Sequence, residues 1–200
     1  MKKLFTLLAL TITFSMNAQM SDNSSGTSAI GTYAVAMGYS TTASGDASTA
    51  MGIVTTASGS RSTAMGDATT ASGTYSTAMG SSTTASGTYS TAMGYQTTAS
   101  GTYSTAMGRG TIASGDSSTA MGYNARAFDY ASLVIGQYNS SGSTVTNNAT
   151  SFSTSNTAFV IGNGVDSSNR SDAFKVMFNG DTTLSNDLTV SGDVVISSDA

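Results

Sequence analysis

Cysteine, histidine, proline, tryptophan and glutamate are all missing from this chain of 200 residues. Without a thiolate or an imidazole there is no thiol nucleophile, no histidine base and no His/Cys metal site. The commonest hydrolytic, redox and zinc chemistries are therefore closed, and the expectation is a protein that is not an enzyme, with no cofactor, no metal and no catalytic residue. Charge is scarce as well. Only 9% of residues are charged and the formal net charge is -4, which leaves no basic footprint for a phosphate backbone and predicts no nucleic-acid partner. The lack of cysteine also rules out a disulfide framework. Apolar residues make up 38% of the chain, with small Ala and Met at regular spacing, which is not the composition of a disordered segment. Regularity has to supply the fold.

Residues 1–18 read as an export signal: Lys2 and Lys3 form a basic start, Leu4 to Phe14 an apolar stretch, and Ala18 a small residue for cleavage. The run is too short to span a bilayer. No later segment has the apolar length of a membrane helix or the alternating strands of a barrel, so the mature chain is predicted to carry no transmembrane segment. A secreted or cell-surface location follows, with any attachment to a membrane made through a part not in this chain.

Glycine falls at every seventh residue from Gly31 to Gly122; Asp129 then takes its place and Gly136 resumes. Alanine stands two residues ahead of these positions from Ala29 to Ala127. The residue between them alternates: Met37, Met51, Met65, Met79, Met93, Met107, Met121 and Ile135 in one half-repeat, Ser44, Ser58, Ser72, Ser86, Ser100 and Ser114 in the other. The true period is fourteen residues. Helix is the wrong reading, since a Gly every seventh residue costs a helix roughly 1 kcal/mol each and β-branched Thr favours strand. One coil of a solenoid, two short strands each ended by a Gly that takes positive φ at a turn, is the right size. Strands stacked at ~4.8 Å would put eight coils in a column on the order of 38 Å long.

Alternation then assigns faces. In the unit from Ser76 to Tyr89, the sets Ser76, Ala78, Gly80 and Thr83, Ala85, Gly87 face each other across a narrow interior, leaving Thr84 and Ser86 on one outer face and Thr77 and Met79 on the other. The opposite packing, Met inside and Ala/Gly outside, is the alternative. On the first, the eight-residue column Met37 to Ile135 is a self-association seam. Burying one Met is worth roughly 1.5–3 kcal/mol, so seven give on the order of 10–20 kcal/mol per chain as an upper estimate. Copies arranged in parallel about a common long axis would bury every rung.

The unit Ser-Thr-Ala-Met-Gly followed by Thr-Thr-Ala-Ser-Gly resembles the head repeats of YadA-like trimeric autotransporter adhesins, over about residues 24–138. Ser132-Leu133-Val134-Ile135-Gly136 and Ala34-Val35-Ala36-Met37-Gly38 come nearest to the family's Asn-Ser-Val-Ala-Ile-Gly pattern. The resemblance implies an all-β, left-handed parallel β-roll that forms homotrimers through its inner sheets on a bacterial surface and attaches to host matrix, cells or abiotic surfaces. The domain reading is then 1–18 signal peptide, 19–138 head repeats, 139–157 a Ser/Thr/Asn-rich loop and 158–200 a β-rich neck or fibre-shaft segment. Within that last part Ala158 to Gly162 echoes the repeat and Ala173 to Phe178 is a strand candidate. The ending Ser197 to Ala200 resembles the entry to a chaperone domain of such fibres, as expected of a fragment or truncated product.

Several surface features carry a functional and a plainer reading. Tyr75, Tyr89 and Tyr103 recur at one corner and could form a ladder for a glycan or protein ligand, or simply stack between coils. Thr42/Ser44 through Thr98/Ser100 form ranks of hydroxyls that could bind ice, or be an ordinary solvated face. Asn163, Asp166, Asn169 and Asp172 offer oxygens to a cation, though Asx-turns explain them equally. Arg61, Arg109 and Arg126 read as solubilising corner charges. The leading expectation is a trimeric adhesin head. An ice-binding solenoid and a ligand-free segment of a trimeric fibre are the alternatives.

Overall fold

The computed structural model describes residues 20–21, 26–140, 142 and 148–187. The signal segment, Leu188, Val190, Val194, Ile196 and the ending at Ala200 lie outside the described residues. Within them there is no helix, and the strands form two sheets. One sheet is built of five-residue strands such as Thr77–Ser81 and Thr91–Tyr95, the other of two-residue strands such as Thr84–Ala85 and Thr98–Ala99. The chain winds alternately through the two, so each strand pairs in parallel with its equivalent fourteen residues on: Thr77 with Thr91, Ala78 with Ala92, Met79 with Met93, Gly80 with Gly94. This is a parallel β-solenoid of fourteen-residue coils.

The interior is lined by small side chains. Ala78, Ala85, Ser76, Thr83 and their equivalents are fully buried, whereas Thr77, Met79 and Thr84 are half-buried on the outer faces. The alternative packing with Met inside is thus excluded by the geometry. Two alanine methyls per coil contribute only ~0.8 kcal/mol each, which leaves the weight of stability on the ladder hydrogen bonds and on whatever covers the methionines. The interior is also polar in an unusual way. Ten buried hydroxyls, those of Ser48, Ser62, Ser76, Ser90, Ser104, Thr55, Thr69, Thr83, Thr97 and Thr111, find no hydrogen-bond partner in the protein. Stacked side chains of one rank repeat at the ~4.8 Å strand spacing, beyond hydroxyl–hydroxyl bonding distance.

The glycines correct the expectation in two respects. Gly80 and its equivalents do have left-handed φ, +121° at Gly80, but they are exposed or half-buried and do not line the interior. The other rank, Gly87 and its equivalents, lies inside and has no left-handed φ. Glycine stands there because a Cβ on Gly87 would lie 2.0 Å from the carbonyl oxygen of Gly101 in the next coil. The left-handed corner residues are instead mostly not glycine: Tyr75, Tyr89 and Tyr103 at one corner (φ 58°, 58° and 59°), Val54, Ser82 and Gln96 at the other (53°, 55° and 53°). Each keeps its N–H in the ladder, as in Tyr89 to the Thr74 carbonyl at 2.9 Å.

The end of the roll is closed by named side chains. Ala120 pairs with Val134 and Val134 with Val160, so bulkier residues plug the interior. Buried Asn139 caps the short-strand sheet: its Oδ1 accepts from the Arg126 N–H at 2.8 Å and its Nδ2 donates to the Arg126 carbonyl at 2.9 Å, in place of another strand. Asp129, the break in the glycine rank, is buried and its Oδ2 accepts from the Thr157 N–H at 3.0 Å, tying the returning chain to the last coil. Thr157–Asn163 then pairs in parallel with Leu133–Gln137, with Gly136 opposite Gly162, and Asp172–Met177 and Thr182–Leu184 add antiparallel strands beyond it.

Candidate functional site

The long-strand sheet carries one unbroken apolar column on its outer face. Met37, Met51, Met65, Met79, Met93, Met107 and Met121 stand in register, followed by Ile135. The register then brings Ile161 beside Ile135, Phe174 beside Ile161 and Leu184 beside Phe174. Sequence reasoning ended this column at Ile135; its continuation depends on an antiparallel pairing that no repeat announces. A second column, from Leu133 to Phe159 and Val176, runs beside it, and the rings of Phe159 and Phe174 meet edge-on at 5.9 Å. Met121 is 37% exposed and Leu184 44%, large fractions for side chains of this kind.

The two corners carry the aromatic and cationic residues. Tyr75, Tyr89 and Tyr103 form a stacked ladder, with ring centroids 4.9 and 5.0 Å apart and planes 5° from parallel, and Arg61 lies over the Tyr75 ring at 5.2 Å. Each Tyr occupies a left-handed backbone position, which costs an ordinary side chain on the order of 1–2 kcal/mol. At the opposite corner Arg109 lies between two rings, 5.7 Å from Tyr95 and 5.2 Å from Tyr123. Tyr138 meets Tyr123 edge-on at 5.1 Å, and Arg170 lies over Tyr138 at 5.5 Å while its Nη1 donates to the carbonyls of Asn124 and Asn139. The Tyr138 phenol is held above its ordinary value, first by its hydrogen bond with Tyr123 and then by desolvation. Burial pulls the Arg170 guanidinium below its usual value, and the charge of Arg126 adds to the effect. So the arginines are more than solubilising charges: Arg61, Arg109 and Arg126 each lie over an aromatic ring. The fourteen-residue spacing of Tyr95, Arg109 and Tyr123 was the available signal.

The remaining candidates have their polar atoms engaged locally. Asp166 accepts from the N–H groups of Ser168 and Asn169 at 2.8 Å and from the Asn169 side chain, and these bonds hold its carboxyl below its ordinary value. Asn163 accepts from the Ser171 hydroxyl, and Asp172 from the Ser140 N–H. Among the described residues no group of acidic side chains gathers as metal ligands. Thr84 and its equivalents form a half-buried rank on the short-strand sheet, broken by Ile112 and Arg126, with Ser44, Ser58, Ser72, Ser86 and Ser100 exposed beside it and Ser114 half-buried.

A helix-free roll of parallel fourteen-residue coils, with an interior of Ala, Ser and Thr and one apolar outer column, is a repetitive β-solenoid. The family model described as the YadA head domain repeat matches residues 29–53, 57–83, 85–111 and 113–139, more than half of the sequence, and the chain belongs to that family. This is a structural adhesin fold, not a known enzyme family. No curated protein matches the chain. No helix among the described residues is long and apolar enough to cross a membrane.

Proposed function

We propose that the chain is the head of a homotrimeric surface adhesin, exported by residues 1–18, with head repeats over 19–138, a loop over 139–157 and a neck or shaft segment over 158–200. The observation that carries this reading is the apolar column from Met37 through Ile135, prolonged in register to Ile161, Phe174 and Leu184. A stripe of this length exceeds what monomers leave in water, and copies of the same chain set parallel about one axis cover it rung by rung. Membership of the YadA head family supports the number three and the role in attachment. The ligand contact is assigned to Tyr75, Tyr89 and Tyr103, because a bulky ring at a strained backbone position is there for what its side chain does. A host matrix protein, a glycan or an abiotic surface is the partner class.

Two readouts test the proposal. Light scattering on the purified chain should give three times the protomer mass, and Met79→Asp with Met93→Asp should dissociate it, since like charges would be buried facing one another. Beads coated with the wild-type assembly should attach to matrix-coated or cell surfaces, and Tyr89→Ser should weaken that attachment without changing the mass. A monomer that is stable and well folded, or an unchanged mass for the double Asp variant, would overturn the seam.

A further inference from the structure

We infer that the corner opposite the tyrosine ladder is a second binding site, for an acidic polysaccharide bearing carboxylate or sulfate groups. The inference rests on the attachment reading and goes beyond it by naming a ligand class and a different edge of the roll. Arg109 ends a long strand, Arg170 is anchored on the carbonyls of Asn124 and Asn139 at the same corner, and Arg126, which begins the short strand one coil further on, stands on the adjoining face close enough for its charge to act on Arg170. Of the five cations in the described residues, three therefore stand at or beside one edge of a chain whose net charge is -4. None of the three makes an ion pair with a carboxylate among the described residues. Asp166, whose charge acts on Tyr138, turns its carboxylate into its own loop, toward Ser168 and Asn169, and Asp172 accepts from the Ser140 N–H.

The arrangement offers two chemistries at once. The guanidiniums retain free N–H groups for planar oxyanions, which they bind by paired hydrogen bonds. Tyr95, 45% exposed, and Tyr123 flank Arg109 on either side, presenting apolar ring faces on which the C–H face of a sugar can pack. Successive rungs repeat at the ~4.8 Å strand spacing, so Tyr95, Arg109 and Tyr123 form a short row along which neighbouring rings of a linear chain can lie. Nucleic acid fits less well: its dense phosphate charge calls for many more cations than three on a protein that is net negative.

The experiment uses the full assembled chain. Immobilised heparin, as the sulfate probe, and polygalacturonate, as the carboxylate probe, should both retain it at low salt and release it as salt rises, while neutral dextran should not retain it. Arg109→Ser with Arg126→Ser should weaken retention about tenfold. Lys175→Ser removes a single cation from the antiparallel extension and should bind like wild type. Which of the two probes is held more tightly identifies the anionic group. An equal loss in Lys175→Ser, tighter binding to a single-stranded oligonucleotide, or no retention by either polyanion would overturn the inference. So would a change of assembly mass in the double Ser variant, which would assign the guanidiniums to contacts between copies. If coated beads still attach while neither polyanion is held, this site fails and the attachment reading stands; if beads do not attach but polyanions are held, the reverse is true.

Discussion

Replacing Gly87 by Ala tests the idea that the coil spacing itself dictates half of the glycines. Gly87 has no left-handed φ, so alanine meets no conformational penalty of its own there. The added Cβ would lie 2.0 Å from the Gly101 oxygen, 2.6 Å from the Gly101 carbonyl carbon and 2.9 Å from the Ser100 oxygen, all backbone. Ordinary contact begins near 3.4 Å, so the two coils must part locally by about 1.4 Å (3.4 less 2.0). The Ser86 and Gly87 N–H groups donate to the Ala99 carbonyl at 2.9 and 3.3 Å, and that displacement breaks both bonds. Two hydrogen bonds at ~0.5–1.5 kcal/mol each and overpacking at ~1–3 kcal/mol give a loss of roughly 2–6 kcal/mol. In a chain of this size the thermal midpoint should fall on the order of 10 °C. Because assembly makes the midpoint depend on concentration, wild type and variant are melted at one protomer concentration, by circular dichroism. Ser86→Ala, one residue away and exposed, should stay within ~0.5 kcal/mol. A Gly87→Ala midpoint equal to that of Ser86→Ala would refute the account of the glycine rank.

Three further outcomes follow from the same geometry. Thr83→Val replaces a buried hydroxyl that has no protein partner by a methyl of the same shape, and should raise stability by about 1 kcal/mol in the same melt. Val54→Asn places a residue tolerant of left-handed φ where a β-branched one sits at φ 53° and half-exposed; it should also stabilise, by about 1 kcal/mol, and a loss of stability would show that Val54 earns its place by packing. The Asp166 carboxyl is held below its ordinary value by hydrogen bonds from Asn169 and Ser168. Its contribution to the loop is therefore complete above the ordinary carboxylate value and is lost as pH falls through the lowered one. Amide exchange at Ser168 and Asn169, compared across that window at matched intrinsic rates, should accelerate on the acid side, and Asp166→Asn should flatten the dependence.

Much of this architecture was written into residue spacing. Gly and Ala every seventh residue, with Met and Ser alternating between them, gave the fourteen-residue coil, its parallel register and the outward direction of Thr77 and Met79, because a β-strand has only two faces. The stacking of Tyr75 on Tyr89 on Tyr103 was legible for the same reason. What could not be read lay where the repeat ends or the backbone departs from extended geometry. The φ of +121° at Gly80 turns the chain out of simple alternation, so a position expected inside lies at the edge. The caps by Asn139 and Asp129 depend on where a returning chain lands, and the extension of the Met column into Phe174 on an antiparallel pairing. Neither the caps nor the extension has a period to betray it.

The same constraint locates the chemistry of the molecule. Inside the roll, the neighbouring coil's backbone sits where a larger side chain would go, so the interior admits Ala, Ser, Thr and Gly and nothing that could recognise a ligand. The outer faces are flat ranks of Thr, Ser and Met that repeat from coil to coil until Ile112, Arg126 and Phe128 interrupt the short-strand face near the end of the roll. Only the corners are free to differ, since their side chains project past both sheets and are checked by neither. Tyrosine and arginine are concentrated there, Tyr75, Tyr89 and Tyr103 on one edge and Tyr95, Arg109 and Tyr123 on the other. Stacking each ring on the next fixes it before any partner arrives, which lowers the ordering cost of binding. A partner can therefore tell this roll from another of identical core only along those two edges, and recognition by the head has to be sought there.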